Sequence, residues 1–402
     1  MATMKPRTLI CTVGTSLPGN LAALPSDQAG FRESRFFKDL AAVAWSDIER
    51  VKKYFCDQRW PALGRALAAL PENASLCGAE INSNAALYEK KWLEATSLFL
   101  LVSDTDQGRQ TGEILKAYYE TRKRELGLQQ IDYRVIERLQ DQRPGDFKIY
   151  GLRNLVRMVG RIIQETDHNH SLVAINATGG YKAQIATTAL IGIALDIAVY
   201  YKHERFNEII AFPPLPVALD YDVLGRYGDL LLAFERGEML ADEEAGMVDE
   251  KLRALLDEVE IDGRLYRALS PIGQIYLTGF RMRHPRPVNM PAAGHERRRQ
   301  PAFRDDHYPS GFKEFVNKVW RETSWITSCH SLPYSGQAAI RHHRTGFYLE
   351  PAHMENGHEE PDRIIGTYVD RNGFGARYEV LTTSIDRTDL IWAVDYLNRN
   401  YC

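Results

Sequence analysis

The 402-residue chain is poor in cysteine: Cys11, Cys56, Cys77, Cys329 and Cys402 are scattered, and no two form a C-x-x-C pair. An odd, dispersed set excludes a disulfide scaffold and a four-cysteine zinc site, and it fits a reducing cytosol. Long apolar runs are also missing. The most apolar stretch, Ala183 to Val199, is too short to span a membrane and contains Asp196. Met1 to Arg7 lacks the charged-then-apolar order of a signal peptide. The expected location is therefore the cytoplasm, with no membrane partner. Neither charge is in large excess: 50 Lys+Arg against 53 Asp+Glu leave a net of −3, which marks no nucleic-acid binder. There is no internal repeat and no low-complexity tract. With 44% hydrophobic and 26% charged residues the chain has a globular composition, and its length allows two or three domains.

The bland total hides polarity. Arg264 to Arg344 holds 14 Lys+Arg and 5 Asp+Glu, whereas Gly237 to Gly263 just upstream holds 10 acids and 2 bases. The acidic run reads as a solvated linker and places a domain boundary near residue 240. In the basic tract, the triplet Arg297-Arg298-Arg299 is suited to tracking phosphates.

Hydropathy periods divide the chain further. Thr8–Val13, Ser97–Val102, Tyr133–Leu139, Leu172–Ile175 and Ile197–Tyr201 are apolar, strand-like runs, and helices are expected to begin near Gln107, Lys148 and Lys182. Ser34 to Phe55 has helical spacing. Strands buried on both faces and joined by helices imply a doubly wound parallel sheet, whose ligands bind at the carboxyl ends of the strands. Ile209–Val217 is interrupted by proline and suits an edge. A helix follows over about Val223–Phe234. Lys251–Phe280 reads as helix, turn at Asp262-Gly263 and a second helix broken by Pro271, a pattern of a winged helix-turn-helix or of a helical connector. Met282–Pro309 is expected to be irregular. Phe312–Trp325 is an amphipathic helix, followed by strands at Ala339–Leu349, Arg363–Asp370 and Ala376–Thr383, a turn at Asn372-Gly373, and a last element over Asp389–Leu397. The C-terminal hundred residues are thus α+β.

Two loops look built for phosphates. In Asn176-Ala177-Thr178-Gly179-Gly180-Tyr181-Lys182 a strand ends and a helix opens. The paired glycines free backbone N–H groups to face an anion, and Lys182 adds a full charge at the helix N-terminus. The order of residues is neither a Walker A loop nor a dinucleotide fingerprint. Gly14-Thr15-Ser16, after the first strand, offers a glycine and two hydroxyls. Ser103, Asp104 and Thr105 follow the next strand and line the same edge, with Asn82 and Ser83 as further candidates.

The strand followed by Val13-Gly14-Thr15-Ser16, the NATGGYK loop and the late Ile209–Val217 strand together resemble the CARF domain, the CRISPR-associated Rossmann-fold sensor, over residues 5 to 235. The resemblance implies a homodimer that binds a cyclic oligoadenylate, foremost cyclic tetra-adenylate, as allosteric activator, with no other cofactor and no metal. Ser16 and Lys182 fall where some relatives cleave the ring.

A sensor of this kind implies an effector. After residue 263 no Arg and His stand at the R-x4–6-H spacing of a HEPN ribonuclease, and after Lys251 neither Lys313 nor Lys318 completes an E-x-K triplet of a metal-dependent nuclease. The paired cysteines of a zinc deaminase are also missing. Residues 305 to 402 resemble the RelE family of ribosome-dependent mRNA interferases in the order of a helix, three strands (GFYL, DRIIGTYVD, YEVLTTSIDR) and a final element. This implies a chain of a CARF domain (1–240), a helical or winged-helix-like domain (241–304) and a RelE-like domain (305–402), as in CRISPR-Cas-associated mRNA interferases. The implied activity is metal-independent endoribonuclease cleavage of mRNA on the ribosome by 2′-OH transesterification. The family's arginines fall on Arg363 and Arg387 and its tyrosine on Tyr396. No lysine follows Lys318, so His342, His343 and Arg344, just before GFYL, are candidates for the missing cations. His342 and His343, read as neighbours on a strand, would point to opposite faces. The alternatives are a ligand-responsive transcription regulator and a ring nuclease acting on the cyclic oligoadenylate.

Overall fold

In the computed structural model, which describes residues 5–166, 169–203, 208–213, 217, 219–241, 249–334, 336, 341–355 and 358–402, the apolar runs of the first half form one six-stranded sheet. Its strands are β1 (Thr8–Thr12), β2 (Ser97–Ser103), β3 (Gln130–Ile136), β4 (Val173–Asn176), β5 (Ala198–Lys202) and β6 (Ile209–Phe212), in the order β3-β2-β1-β4-β5-β6. The first five are parallel, and β6 is antiparallel to β5 at the edge. Pro213 follows β6 directly and cannot donate to a ladder, which suits a strand that ends there. This mixed α/β arrangement is that of a Rossmann-like sheet, with its topological switch between β1 and β4. Phe99, Leu100, Leu101 and Val102 of β2 are wholly buried, as expected of a strand covered on both faces.

The chain divides into two compact units, Met1–Val217 with Gln274–Met282, and Ala218–Gly273 with Arg283–Cys402. In the first, the helix expected over Ser34–Phe55 is two helices, Phe37–Leu40 and Trp45–Cys56. Leu40, Ile48 and Val51 are all fully buried, so tertiary packing on both sides of the break overrides the continuous period.

The second unit departs further from expectation. The helix read over the residues after Lys251 is instead a hairpin. Beside β7 (Leu240–Ala241), β8 (Leu256–Ile261) pairs antiparallel with β9 (Arg264–Leu269) in a three-stranded sheet. Asp262 and Gly263, with φ of 51° and 75°, form the two-residue turn that a D-G pair favours between strands. A short helix, Glu250–Arg253, precedes β8. After the hairpin a helix runs from Pro271, which suits a first helical position, to Arg283, and its Gln274–Met282 stretch belongs to the first unit.

The larger sheet of this unit has β10 (Ile326–Ser331), β11 (Gly346–Glu350), β14 (Arg363–Val369) and β15 (Gly375–Thr382) in the order β10-β15-β14-β11, all antiparallel. A small hairpin, β12 (His353–Glu355) and β13 (His358–Glu360), lies between β11 and β14 in the chain. β10 was not expected; its serines, threonine and histidine weaken the apolar signal. The turn at Asn372-Gly373 lies where expected, with Gly373 at φ 78°. Helix Phe312–Glu322 covers the sheet through Phe312, whose ring stands 5.8 Å from that of Tyr378 at an interplanar angle of 77°. Tyr378 is wholly buried, and a Cβ on Gly366 would come within 2.4 Å of its ring, so β14 needs glycine there. Helix Arg387–Tyr401 closes the chain, capped by the Asp386 carboxylate, which accepts from the N–H groups of Thr388 and Asp389.

Candidate functional site

The two glycine loops meet at the switch point. Thr12, at the end of β1, donates its hydroxyl to the Gly179 carbonyl at 2.5 Å. A Cβ on Gly14 would stand 2.6 Å from the Gly180 nitrogen, so the backbones touch as only glycine permits. Gly180 has φ of 100°, and the Tyr181 N–H after it donates to Gln184 Oε1 at 2.6 Å, capping helix Lys182–Leu195. Lys182 is exposed at that helix start, as is Thr15 in the opposite loop.

Beneath both loops lies Glu80, a residue the sequence did not single out. Its carboxyl is 1% exposed, accepts from the Gly14 N–H at 2.7 Å and from the Ser16 hydroxyl at 3.4 Å, and would clash with any Cβ on Gly179. Burial pushes its pKa up, opposed by these hydrogen bonds. Ser16 also accepts from the Ala79 N–H at 3.1 Å, so its hydroxyl joins the first loop to helix Gly78–Glu89.

The remaining candidates divide into support and rim. Asn176 donates to Ser83 and Asn84, both at 2.7 Å, and accepts from the Thr178 hydroxyl at 2.6 Å. Ser83 is fully buried, and Asn82 donates to the Glu72 and Ala74 carbonyls. Ser83 therefore braces the loop from inside, a correction to the expectation that it lines the edge, whereas the half-buried Asn82 side chain is held by the Glu72 and Ala74 carbonyls. Thr105 caps helix Asp106–Thr121 by accepting from the Gly108 N–H and lies 2.9 Å from the Ser103 hydroxyl. Asp104 pairs with Arg109 at 2.5 Å and accepts from the Arg138 N–H at 2.9 Å. Thr15, Asp104, Thr105, Arg109, Arg143 and Tyr181 are among the residues around an open cavity of about 660 Å³ at this edge. Its walls carry two arginines, one aromatic ring and three aspartates (Asp104, Asp106 and Asp141), a polar lining of mixed charge.

In the C-terminal unit the catalytic candidates fall into separate places. Arg363, at the start of β14, pairs with Glu350 of β11 at 2.6 Å. Arg387 pairs with Asp222 at 2.7 Å and also with Asp362, next to Arg363. Both guanidinium groups are thus held by carboxylates at one end of the sheet. Arg344 lies before β11, where its carbonyl accepts from Thr367 near the far end of β14. The register from Gly346–Thr367 to Glu350–Arg363 sets the two groups apart by about 14 Å at 3.4 Å per residue. Tyr396 is stacked on Trp392 at 5.0 Å and packed against Trp325. The five residues do not converge on one point.

The expected strand through the two histidines is a turn: His342 and His343 have φ of 56° and 47°. His343 is exposed, whereas His342 Nδ1 is 3.0 Å from Asp229 Oδ2. Residues 339–340, at the front of that expected strand, lie outside the described residues. In the basic triplet, Arg298 lies over Trp320 at 4.6 Å and donates to the Trp320 and Thr323 carbonyls at the end of its helix. Arg297 and Arg299 alone are exposed. Among the described residues no group of three His, Cys, Asp or Glu is arranged to hold a metal ion, and no helix is long and apolar enough to cross a membrane.

A Rossmann-like sheet with a two-loop edge defines the first unit. Residues 75–215 of it match the family model of a CRISPR-associated protein, Cas_APE2256. The match supports a CRISPR-associated protein and a role in CRISPR defence. No curated protein matches the chain.

Proposed function

We propose that the chain is a cyclic-oligoadenylate-activated ribonuclease of type III CRISPR defence, with the CARF-like sensor in the first unit and a RelE-like effector in the second. The observation that carries the reading is the meeting of Gly14 and Gly180 at the switch point of a sheet of which residues 75–215, Gly180 among them but not Gly14, match a CRISPR-associated family. Gly180, the exposed Lys182 and the Thr15 hydroxyl offer an adenylate phosphate its donors, and the Tyr181 ring offers a base its face. Cyclic tetra-adenylate is the proposed activator, bound by a homodimer. The effector reading rests on the antiparallel sheet covered by helices Phe312–Glu322 and Arg387–Tyr401, and on the exposed arginines of the basic tract, which suit ribosome-bound mRNA. The reaction is metal-independent attack of an mRNA 2′-OH on the adjacent phosphate.

The test is cleavage of mRNA on translating ribosomes, with and without cyclic tetra-adenylate and in the presence of a chelator. Cleavage that requires both ribosome and activator is expected. Equal cleavage of naked RNA would remove ribosome dependence from the reading.

A further inference from the structure

We propose that His342, oriented by the buried carboxylate of Asp229, is the general base of the effector; this rests on the ribonuclease reading above. The two residues are 113 apart in sequence, and their contact is 3.0 Å. The Asp229 side chain is 1% exposed and that of His342 is 23% exposed, so a buried anion holds a ring that still reaches solvent. An ionised carboxylate only accepts, which puts the proton on Nδ1 and leaves the Nε2 lone pair directed away from Asp229.

Three further observations set this pair apart from a surface ion pair. Asp229 Oδ1 is buried and has no hydrogen-bond partner among the described residues, so the carboxylate is not neutralised by a surrounding network. Two successive residues with side chains, His342 and His343, hold left-handed backbone, a conformation disfavoured outside glycine that concentrates at functional sites. Gly346 must lack a side chain, because its Cβ would stand 2.5 Å from that of Asp229. The charged groups nearby include Arg344, whose guanidinium meets Glu238 at 3.0 Å; the Cys402 thiol is pushed up by Asp229 and pulled down by Arg236. The Arg344 side chain is 22% exposed, so its guanidinium can meet an oxyanion while it holds Glu238.

In the step proposed, His342 Nε2 takes the proton of the mRNA 2′-hydroxyl. The 2′-oxygen forms its bond to phosphorus as the bond from phosphorus to the 5′-oxygen breaks. The leaving 5′-oxygen takes a proton from water, and the hydroxide so formed takes the proton from His342, giving a 2′,3′-cyclic phosphate, a 5′-hydroxyl and the neutral imidazole again. Arg344 offsets charge on the phosphorane.

The experiment uses the full chain with cyclic tetra-adenylate and mRNA on translating ribosomes, and follows cleavage rate against pH. His342→Ala and His342→Gln are expected to lower the rate by about 100-fold or more, with loss of the acidic limb of the profile and partial rescue of the alanine variant by added imidazole. Asp229→Asn, which keeps the shape, is expected to shift that limb. Wild-type cleavage with both His342 variants, folded by circular dichroism, retaining its rate and profile would overturn the general-base assignment and leave the ribonuclease reading intact. Absence of wild-type cleavage in every arm would overturn both.

Discussion

Gly14 and Gly180 approach so closely that a Cβ on the first would stand 2.6 Å from the nitrogen of the second. Gly14→Ala must push the NATGGYK loop away from the β1 loop, and Gly180→Ala adds strain at φ 100°. Each variant is expected to weaken cyclic tetra-adenylate binding by about 10-fold or more, equivalent to about 1.4 kcal/mol. Isothermal titration calorimetry checks this, and unchanged affinity in both would remove the two-loop edge from the binding site.

Glu80 sets a pH dependence. Its folded pKa lies above the ordinary value of 4.5 because the carboxyl is buried, so the folded state holds the proton more tightly. This contribution is full below pH 4.5 and is lost as pH rises through the folded pKa. Glu80→Gln preserves an acceptor for Gly14 and abolishes the titration. The wild type is expected to lose melting temperature relative to the variant as pH rises from 4.5 into the neutral range, by about 2–4 °C for each kcal/mol. Parallel melting curves across that range would count against a raised pKa.

Arg387 bridges Asp222 and Asp362, and Arg387→Ala leaves these carboxylates without it. Because the guanidinium is 40% exposed, solvent limits the loss to about 1 kcal/mol. A double-mutant cycle with Asp362→Asn in urea denaturation is expected to return a coupling of about 0.5–1 kcal/mol. A coupling near zero would show the pair to be only geometric.

The thiols are expected to react in two classes. Burial pushes Cys11, Cys77 and Cys329 up to about 12, so they stay as thiols. Cys56 is exposed, and Cys402, although exposed as a residue, is likewise pushed up to about 12, with Asp229 adding to the effect. Native protein treated with a disulfide reagent should therefore modify Cys56 first and the other four more slowly, the three buried thiols only on unfolding. Rapid modification of Cys11 in native protein would contradict the packing of β1.

Much of the first sheet is legible in the residues, because strands such as Ser97–Ser103 are apolar on both faces and punctuated by loops. The hairpin at Leu256–Leu269 also has a local signal, since Asp262-Gly263 between two strand-length runs favours a hairpin over a helical turn. Glu80 gave no such signal, since an acid within a helical segment is ordinarily solvated. Ser16 and Asn176 were legible as polar residues after strands, but their roles as braces depend on partners more than 60 residues away.

Local chemistry determined by itself the alternation of strands and helices, the glycine loops after β1 and β4, and the polarity of charge along the chain. Those properties come from neighbouring residues, through period, backbone freedom and composition. Only the tertiary structure decided that Glu80 lies under both loops, that Arg363 and Arg387 are held by carboxylates, and that Asp229 meets His342. Each depends on segments distant in sequence being brought together by burial of apolar surface, which fixes contacts that no spacing along the chain encodes.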